Sequence, residues 1–558
     1  MKELILNTLE AAIERARVAG QLVSVRPPVG IEAPKDPAHG DIASNVALTL
    51  ARAEKKAPRA IAEIIKANVE LPPKVIEVSV AGPGFINFRM APAYWHSEMR
   101  RAAEQGAEFW KPQKWMLRPG AGDKVQVEFL SANPTGPLTV GHGRNAVLGD
   151  TIARLYEAAG FDVTREYYFN DGGRQMKLLG ESVRVRYLQA HGIAATLPED
   201  GYQGEYIVDI GQALKAEHGD KYVAETNLEI FRAAAVKAIF ADINRTCARL
   251  GIRFDVFTNE LDLMKSGTVD SVLAALKDRD LTFEKDGAVW LRGEPLGLPK
   301  DAVLVRSDAD RQPTYRTPDI AYHIEKLKRG FDLIIDVFGA DHIGEHQQVI
   351  AAVKAMGHDT TPISAIIYQF VTLTRGGEKV KMSTRKATYV TLDGLIDEVG
   401  ADVVRFFFVF RKSDSQLDFD LELAKKQAPE NPVFYVQYAH ARLASVFREA
   451  EKAGLALPDD AAAIDLGLLD AEELDLVKRA IALPEVMTAA AQSLEPHRIS
   501  FYLLELAGEF HRYYNQSSNR IIGPDRELSL ARIFLAQILK GALAGGLELL
   551  GVSAPDRM

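Results

Sequence analysis

The chain has 558 residues and a formal net charge of -9, from 67 Lys and Arg against 76 Asp and Glu. That length exceeds a single hydrophobic core and implies about three to four domains, while 47% hydrophobic and 26% charged residues exclude a disordered or fibrous chain. One cysteine, Cys247, excludes a disulfide framework and a multi-cysteine zinc site, and no uninterrupted apolar run reaches the ~20 residues that span a bilayer.

The start, Met1-Lys2-Glu3-Leu4, opens an acidic amphipathic helix rather than a secretory leader. A cytoplasmic protein without a membrane partner is the expectation. The acidic total is not the signature of a nucleic-acid binder, but binding depends on local patches. One such patch gathers Arg375, Lys379, Lys381, Arg385 and Lys386.

Residues 1–110 predict an N-terminal α+β module. Helical spacing runs through Leu4, Leu9 and Ile13 and again from Ala43 to Ile65. Strands at 75–80 and 85–88 flank the turn Gly82-Pro83-Gly84. Residues 111–122 read as a linker.

Residues 123–414 alternate strands and helices, the pattern of a Rossmann-like parallel sheet covered on both faces. Strands are expected at 125–130, 163–169, 302–307, 333–338 and 364–373. Helices are expected at 144–159, 174–190, 318–328 and 345–356. The stretch of about 195–300 departs from this rhythm, with a helical part at 206–250 and a hairpin at Asp286-Gly287. It reads as an insertion between two halves of the sheet. Residues 415–558 show no strand pattern and predict a C-terminal α-helical bundle. The fold class is therefore α/β and multidomain.

Residues 128–142 read Glu-Phe-Leu-Ser-Ala-Asn-Pro-Thr-Gly-Pro-Leu-Thr-Val-Gly-His, joining a β-rich run to a helix opening near Gly143 with Gly160 as its stop. Such a turn aims backbone N–H groups and a positive dipole end at a phosphate. Gly141 allows close approach of a nucleotide, and His142 adds a donor. Taken alone, His142 also reads as a helix-capping histidine.

The tetrad Thr139-Val140-Gly141-His142 resembles the HIGH signature of class I aminoacyl-tRNA synthetases. Lys381-Met382-Ser383-Thr384-Arg385 resembles their KMSKS loop. Each match alone is weak, but both in the right order are strong together. Two departures stand out: Thr139 replaces the first histidine, and Thr384 replaces the second lysine; either Arg385 or Lys386 would supply that charge, or tRNA would help to order the site. The pair Gly376-Gly377 would hinge the basic loop over pyrophosphate.

Longer segments resemble bacterial arginyl-tRNA synthetases over nearly the whole chain. They are 82–87 (Gly-Pro-Gly-Phe-Ile-Asn), 131–137 (Ser-Ala-Asn-Pro-Thr-Gly-Pro), 339–342 (Gly-Ala-Asp-His), 432–442 and 551–558. The resemblance implies ATP-dependent joining of L-arginine to tRNA(Arg) through arginyl-adenylate, with ATP and Mg2+, without zinc, by a monomer. It implies His142, Lys381 and Thr139 as catalytic residues. Pro134, Gly141, His142, Asp341, His342, Lys381, Met382 and Ser383 would meet ATP. Glu128, Ser131, Asn133, Tyr315 and Asp319 would meet arginine, because a planar guanidinium needs carboxylates and a flat wall. Read without the resemblance, Asp319 only complements a helix dipole.

The N-terminal module would touch the tRNA corner, and the bundle would read the anticodon side. Tyr435, Tyr438, Arg442 and Tyr514 are the tRNA-binding candidates within a wider set that includes His440, Tyr513 and Asn515. Spacing of Tyr435 and Tyr438 at i, i+3 fits core packing equally. Rival readings are a class I synthetase for another amino acid, which would lack paired pocket carboxylates, and a silent RNA-binding paralogue, against which His142 and Lys381 speak.

Overall fold

The computed structural model describes residues 2–25, 29–32, 34, 36–117, 122–307, 312–380 and 390–558. By internal contact the chain forms two compact units. One comprises Met1–Phe109, Val446–Ile481 and Gln516–Leu539; the other comprises Trp110–Ser445, Ala482–Asn515 and Lys540–Met558.

In the first unit, helix Lys2–Val18 buries Ile5, Leu9, Ala12, Ile13 and Ala16 on one face, the 3.6-residue stripe expected of an amphipathic helix. The stretch expected as one helical run from 43 to 65 divides. Ile42–Ser44 is a strand, and helices Val46–Glu54 and Pro58–Ala67 follow. Lys55 at φ 50° ends the first helix and Pro58 opens the second. The strands form an antiparallel sheet in the order Ile31–Glu32, Ile42–Ser44, Phe85–Met90, Val75–Ala81. Gly84, at φ 141°, turns the last pair, and a Cβ there would lie 2.8 Å from the Pro58 carbonyl carbon.

The second unit is built on a five-stranded parallel sheet, ordered Ile363–Tyr368, Leu333–Gly339, Lys124–Glu128, Asp162–Phe169, Val256–Asn259. The chain leaves the first of these strands in sequence, Lys124–Glu128, in one direction and later returns to its other side. The crevice at its C-terminal end is therefore the switch point where such sheets bind ligands.

Four expectations about strands need correction. Val256–Asn259 is a sheet strand that the periodicity did not reveal. Ala302–Val305 does not join the parallel sheet but pairs antiparallel with Ala288–Leu291, beside the Thr282–Lys285 hairpin. The run 364–373 is two strands, Ile363–Tyr368 and Val371–Arg375, in different sheets. Leu417–Asp420, in a region expected to lack strands, pairs in parallel with Val371–Arg375. The helical part at 206–250 likewise divides, into Glu205–His218 and Glu229–Arg249.

Helix Val140–Ala158 fills the space beside the sheet and is buried on nearly every face. Gly149 makes this possible, since a Cβ there would lie 2.2 Å from Cβ of Phe129. Arg144, fully buried in this helix, donates to the carbonyls of Gln369, Ser415 and Lys412 at 2.6, 2.9 and 3.0 Å. Arg405, buried in helix Ala401–Val409, donates to two carbonyls, Leu550 O and Leu250 O, and to Asp150 Oδ2 of the Val140–Ala158 helix. Helix Arg526–Leu549 has the length and apolar content to cross a membrane, but 72% of that window is buried in the protein, as in a core helix.

Candidate functional site

The end of strand Lys124–Glu128 carries an unusual turn. Leu130 and Ser131 are consecutive non-glycine residues with positive φ, 68° and 42°. Such residues cost free energy and persist only where their surroundings hold them. Asn145 supplies the hold: its Oδ1 accepts the Leu130 N–H at 2.5 Å and its amide donates to Val337 O at 2.9 Å. The inverted turn aims Ser131 back at the strand end. Ser131 Oγ donates to Glu128 Oε1 at 2.9 Å and accepts from the Tyr168 N–H at 3.1 Å. Asn133 Oδ1 accepts the Asn170 N–H at 3.0 Å, while its amide donates to Gln175 at 3.2 Å. Pro134 is buried.

The helix opens at Val140, three residues before the expected start, with Thr139 as its N-cap. The Thr139 N–H donates to His142 Nδ1 at 3.2 Å. With Nδ1 as acceptor, a neutral ring carries its proton on Nε2. Burial pushes the His142 pKa down to about 4, so near neutral pH the ring is an uncharged donor at a helix N-terminus. A Cβ on Gly141 would find only Thr139 Oγ1, at 3.8 Å, which leaves room for close approach.

Thr139 also bridges Thr391, and the Leu392 N–H donates to Leu138 O at 2.8 Å. The signature turn is thus stitched to the segment that follows the basic loop. Lys381, Met382, Ser383, Thr384, Arg385 and Lys386 lie outside the described residues. Gly376 and Gly377, at φ 59° and 82°, close a two-residue hairpin between Val371–Arg375 and Glu378–Lys379. Two positive φ values define a tight turn that matches strand twist, so these glycines shape a hairpin rather than a free hinge.

Around Glu128 the structure assembles charges that no local pattern predicts. Glu128 is in register with Asp336 on one neighbouring strand and with Glu166 on the other. Parallel strands lie about 4.8 Å apart with matched residues on one face, so three carboxylates stand in a row. Helix Arg316–Lys328 crosses them. Lys326, fully buried, bonds Glu128 Oε2 and lies 2.7 Å from Asp336 Oδ1. His323 reaches Asp336 Oδ2 at 3.1 Å and Asp319 Oδ1 at 3.0 Å. Arg329, at the helix C-cap, holds Glu166 at 2.8 Å.

Burial works against each of these charges, and the partners decide the outcome. Lys326 and then His323 hold Asp336 well below the usual carboxylate range. Glu128 stays above it, because burial outweighs Lys326 there. Asp319, the largest opposing influence, lifts His323 to about 10 despite burial. His346 also approaches Asp336, at 3.3 Å. His323, Asp336 and His346 lie close enough to hold a cation, but the Lys326 ammonium already occupies that carboxylate.

Glu260 lies next to this group. It accepts from Tyr168 OH at 3.1 Å and Asn170 Nδ2 at 2.8 Å. Burial pushes its pKa up to about 7. Tyr168 stacks on Tyr322 at 4.4 Å.

The structure therefore unites Glu128, Ser131 and Asp319 in one charged cluster, and ties Asn133 to it through Asn170 and Glu260. Tyr315, the residue before helix Arg316–Lys328, is 52% exposed. Asp341 and His342 form an exposed turn after strand Leu333–Gly339, where His342 Nδ1 faces Glu345 at 3.2 Å. A Cβ on Gly339 would sit 2.5 Å from Asp341 Oδ1, so a side chain there would displace that carboxylate. Sequence reasoning missed His323, Lys326, Asp336, Glu166, Arg329 and Glu260. One signal was available: His323 and Lys326 follow Asp319 at i+4 and i+7, the same helix face.

The tRNA-binding candidates meet around His511. Tyr435 and Tyr438 pack on its ring at 4.6 and 5.6 Å. Arg442 lies over Tyr438 at 4.6 Å and over Tyr514 at 5.2 Å, and reaches His511 Nδ1 and Asn515 Oδ1 at 3.2 Å each. Tyr513 and His440 are buried and present no platform; His440 Nδ1 pairs with Pro555 O at 3.0 Å.

Residues 112–407 match the family model described as tRNA synthetases class I (R), catalytic domain. The fold is that of a class I aminoacyl-tRNA synthetase. Residues 2–90 match the arginyl tRNA synthetase N-terminal domain, and residues 436–558 match the DALR anticodon binding domain. An arginine–tRNA ligase from Desulfotalea psychrophila is 49% identical, covering 95% of this chain and 94% of its own. One from Salinibacter ruber is 48% identical, covering 95% and 96%. Among solved structures, a putative arginyl-tRNA synthetase from Campylobacter jejuni superposes with TM-score 0.75 at 31% identity, over 84% of this chain and 100% of that one. The chain belongs to the arginyl-tRNA synthetase family.

Proposed function

We infer that the protein catalyses ATP-dependent ligation of L-arginine to tRNA(Arg), in two steps through arginyl-adenylate. The observation that carries this reading is the carboxylate cluster at the switch point of the parallel sheet. Glu128 and Asp319 offer acidic oxygens at the switch point where sheets of this kind bind small ligands, and a guanidinium is planar, permanently charged and bidentate. Ser131 fixes the Glu128 carboxylate, Asn133 serves the amino or carboxylate end of arginine, and Tyr315 provides a flat wall.

In the first step the arginine carboxylate attacks the α-phosphate of ATP and pyrophosphate leaves. Catalysis of this kind rests on positioning and on donors aimed at developing charge. His142 supplies a neutral Nε2–H at a helix N-terminus. Thr139 holds that ring by its backbone N–H. Gly141 and Pro134 shape the approach of the nucleotide, and Asp341 and His342 border it. Lys381, Met382 and Ser383 are assigned to the phosphates. Mg2+ would accompany the triphosphate and screen its charge; the exposed Asp341 carboxylate is the kind of oxygen donor that hard cation takes. In the second step a ribose hydroxyl of the terminal adenosine attacks the adenylate carbonyl, forming the ester as the anhydride bond breaks and AMP leaves.

Residues 1–110 and 415–558 flank the catalytic region 123–414 as tRNA-binding parts, with Tyr435, Tyr438, Arg442 and Tyr514 at the anticodon side. The protein is assigned to the cytoplasm as a monomer. The test is aminoacylation of total tRNA with each standard amino acid, ATP and Mg2+. Charging with arginine alone is expected; charging with another amino acid overturns the pocket assignment.

A further inference from the structure

We propose that Lys326 is a positioning residue for amino-acid recognition. Its buried ammonium, bonded between Glu128 and Asp336, fixes the Glu128 carboxylate and trims the pocket to one uncompensated negative charge, so that the pocket takes a single guanidinium. The proposal rests on the reading that this chain charges arginine.

The argument begins with register. Glu166, Glu128 and Asp336 occupy matched positions on three adjacent parallel strands. Like charges placed side by side on a sheet repel, and burial sharpens the repulsion. The sheet tolerates the row because one helix lays cations over it. Asp319, His323 and Lys326 fall at i, i+4 and i+7, and Arg329 caps the same helix.

The Lys326 side chain has no exposed surface, whereas that of Glu128 keeps 15% and that of Asp319 35%. Lys326 therefore cannot touch a ligand. It acts through Glu128, whose Oε2 it holds while Ser131 holds Oε1. A carboxylate has about four acceptor sites, so Glu128 is fixed and still has lone pairs for a guanidinium.

Four carboxylates, Glu128, Glu166, Asp319 and Asp336, face three cations, Lys326, Arg329 and His323. One negative charge remains, matching one guanidinium. Without Lys326 the excess doubles, and the least favoured charge is that of Glu128. Burial already lifts its pKa, and Lys326 is the largest influence pulling it down. Asp336 and Glu166 from the flanking strands and Glu260 beyond Asp319 are acids. His346 faces Asp336 from the next helix, and Arg329 is committed to Glu166. Removal of Lys326 should therefore shift Glu128 further toward its protonated form, an effect that weakens as the pH rises. The arginine guanidinium stays charged throughout.

The experiment measures arginine KM, ATP KM and kcat for the wild type, Lys326→Met and Lys326→Arg from pH 6.5 to 8.5. Lys326→Met is expected to raise arginine KM by about tenfold or more at pH 7. The ratio to wild type should shrink as pH rises, with ATP KM within about twofold. Lys326→Arg should recover most of the loss. A KM ratio flat across pH, or no recovery with arginine, would show a purely structural lysine and overturn the proposal.

Should Lys326→Met not fold, Lys326→Gln removes the charge while keeping a hydrogen-bond donor between the two acids. It should fold and show the raised, pH-dependent arginine KM; a wild-type KM in it overturns the proposal. Wild-type protein that fails to charge arginine would instead overturn the functional reading.

Discussion

Asn145 and Leu130 are joined by a 2.5 Å hydrogen bond, from the backbone N–H at the start of the inverted turn to the asparagine side chain. The same amide donates to Val337 O on the neighbouring strand. One side chain thus fixes the turn carrying Ser131 and Asn133 to the strand that carries Asp336. Asn145→Ala would leave a buried donor and a buried acceptor without partners. That should cost about 2 kcal/mol or more, read as a lower denaturant midpoint with an unchanged slope. Unchanged stability would mean that other groups or water replace the amide.

His142 offers a neutral donor, and its loss should fall on the transition state. His142→Ala is expected to lower kcat for ATP–pyrophosphate exchange, measured with tRNA present, by about a hundredfold, with arginine KM little changed. The folded pKa of about 4 lies below the ordinary histidine value. Protonating His142 in the folded protein is therefore unfavourable, and its contribution to stability declines as pH falls from the ordinary histidine range through 4. A wild-type donor role should persist unchanged from pH 8 to pH 6. An activity that follows titration near pH 6.5 and disappears with His142→Ala would refute the neutral-donor assignment.

Asp319 is half-exposed and bonded to His323. Asp319→Ala removes a pocket carboxylate, and truncating one partner of a charge pair costs about 2 kcal/mol at the low end, some thirtyfold in affinity. Arginine KM should rise by at least that factor while ATP KM holds. An unmoved arginine KM would return Asp319 to the role of a dipole-complementing residue.

Glu260 makes a different prediction. Its folded pKa of about 7 exceeds the ordinary carboxyl value, so the folded state holds this proton more tightly than the unfolded state. The stability it contributes is complete at low pH and is lost as pH rises through 7. Glu260→Gln keeps the hydrogen-bonding shape without the titration. Melting temperatures at pH 5 and pH 8 should therefore differ less in the variant than in the wild type; an equal difference would place the titration elsewhere.

Arg442 is stacked between two tyrosine rings. Arg442→Leu should weaken tRNA binding by about 1 kcal/mol or more, roughly fivefold in tRNA KM. Arginine and ATP KM values should stay as they were. An unaffected tRNA KM would assign the Arg442, Tyr438 and Tyr514 group to packing.

The phosphate-binding turn was legible because Gly and Pro punctuate it and a 3.6-residue stripe follows it. Strand Val256–Asn259 was not, because four residues running directly into a helix carry too little pattern, and Phe257 remains 43% exposed. Ala302–Val305 was seen as a strand but misplaced, since alternation does not say whether a partner runs parallel or antiparallel. The charged cluster escaped for another reason. Lys326 and Glu128 are 198 positions apart, and only the register of three strands brings their acids into line. Asp336 interrupts the apolar run Leu-Ile-Ile-Asp-Val-Phe, a sign of a buried acid that needs a partner.

All three cations over the acid row come from one helix and its cap. A single-residue insertion between Asp319 and Lys326 would rotate the later side chains by about 100° around the axis. Lys326 and Arg329 would then point away from their acids together. The spacing within this one helix therefore couples amino-acid choice to the integrity of the sheet, so that neither can be lost without the other.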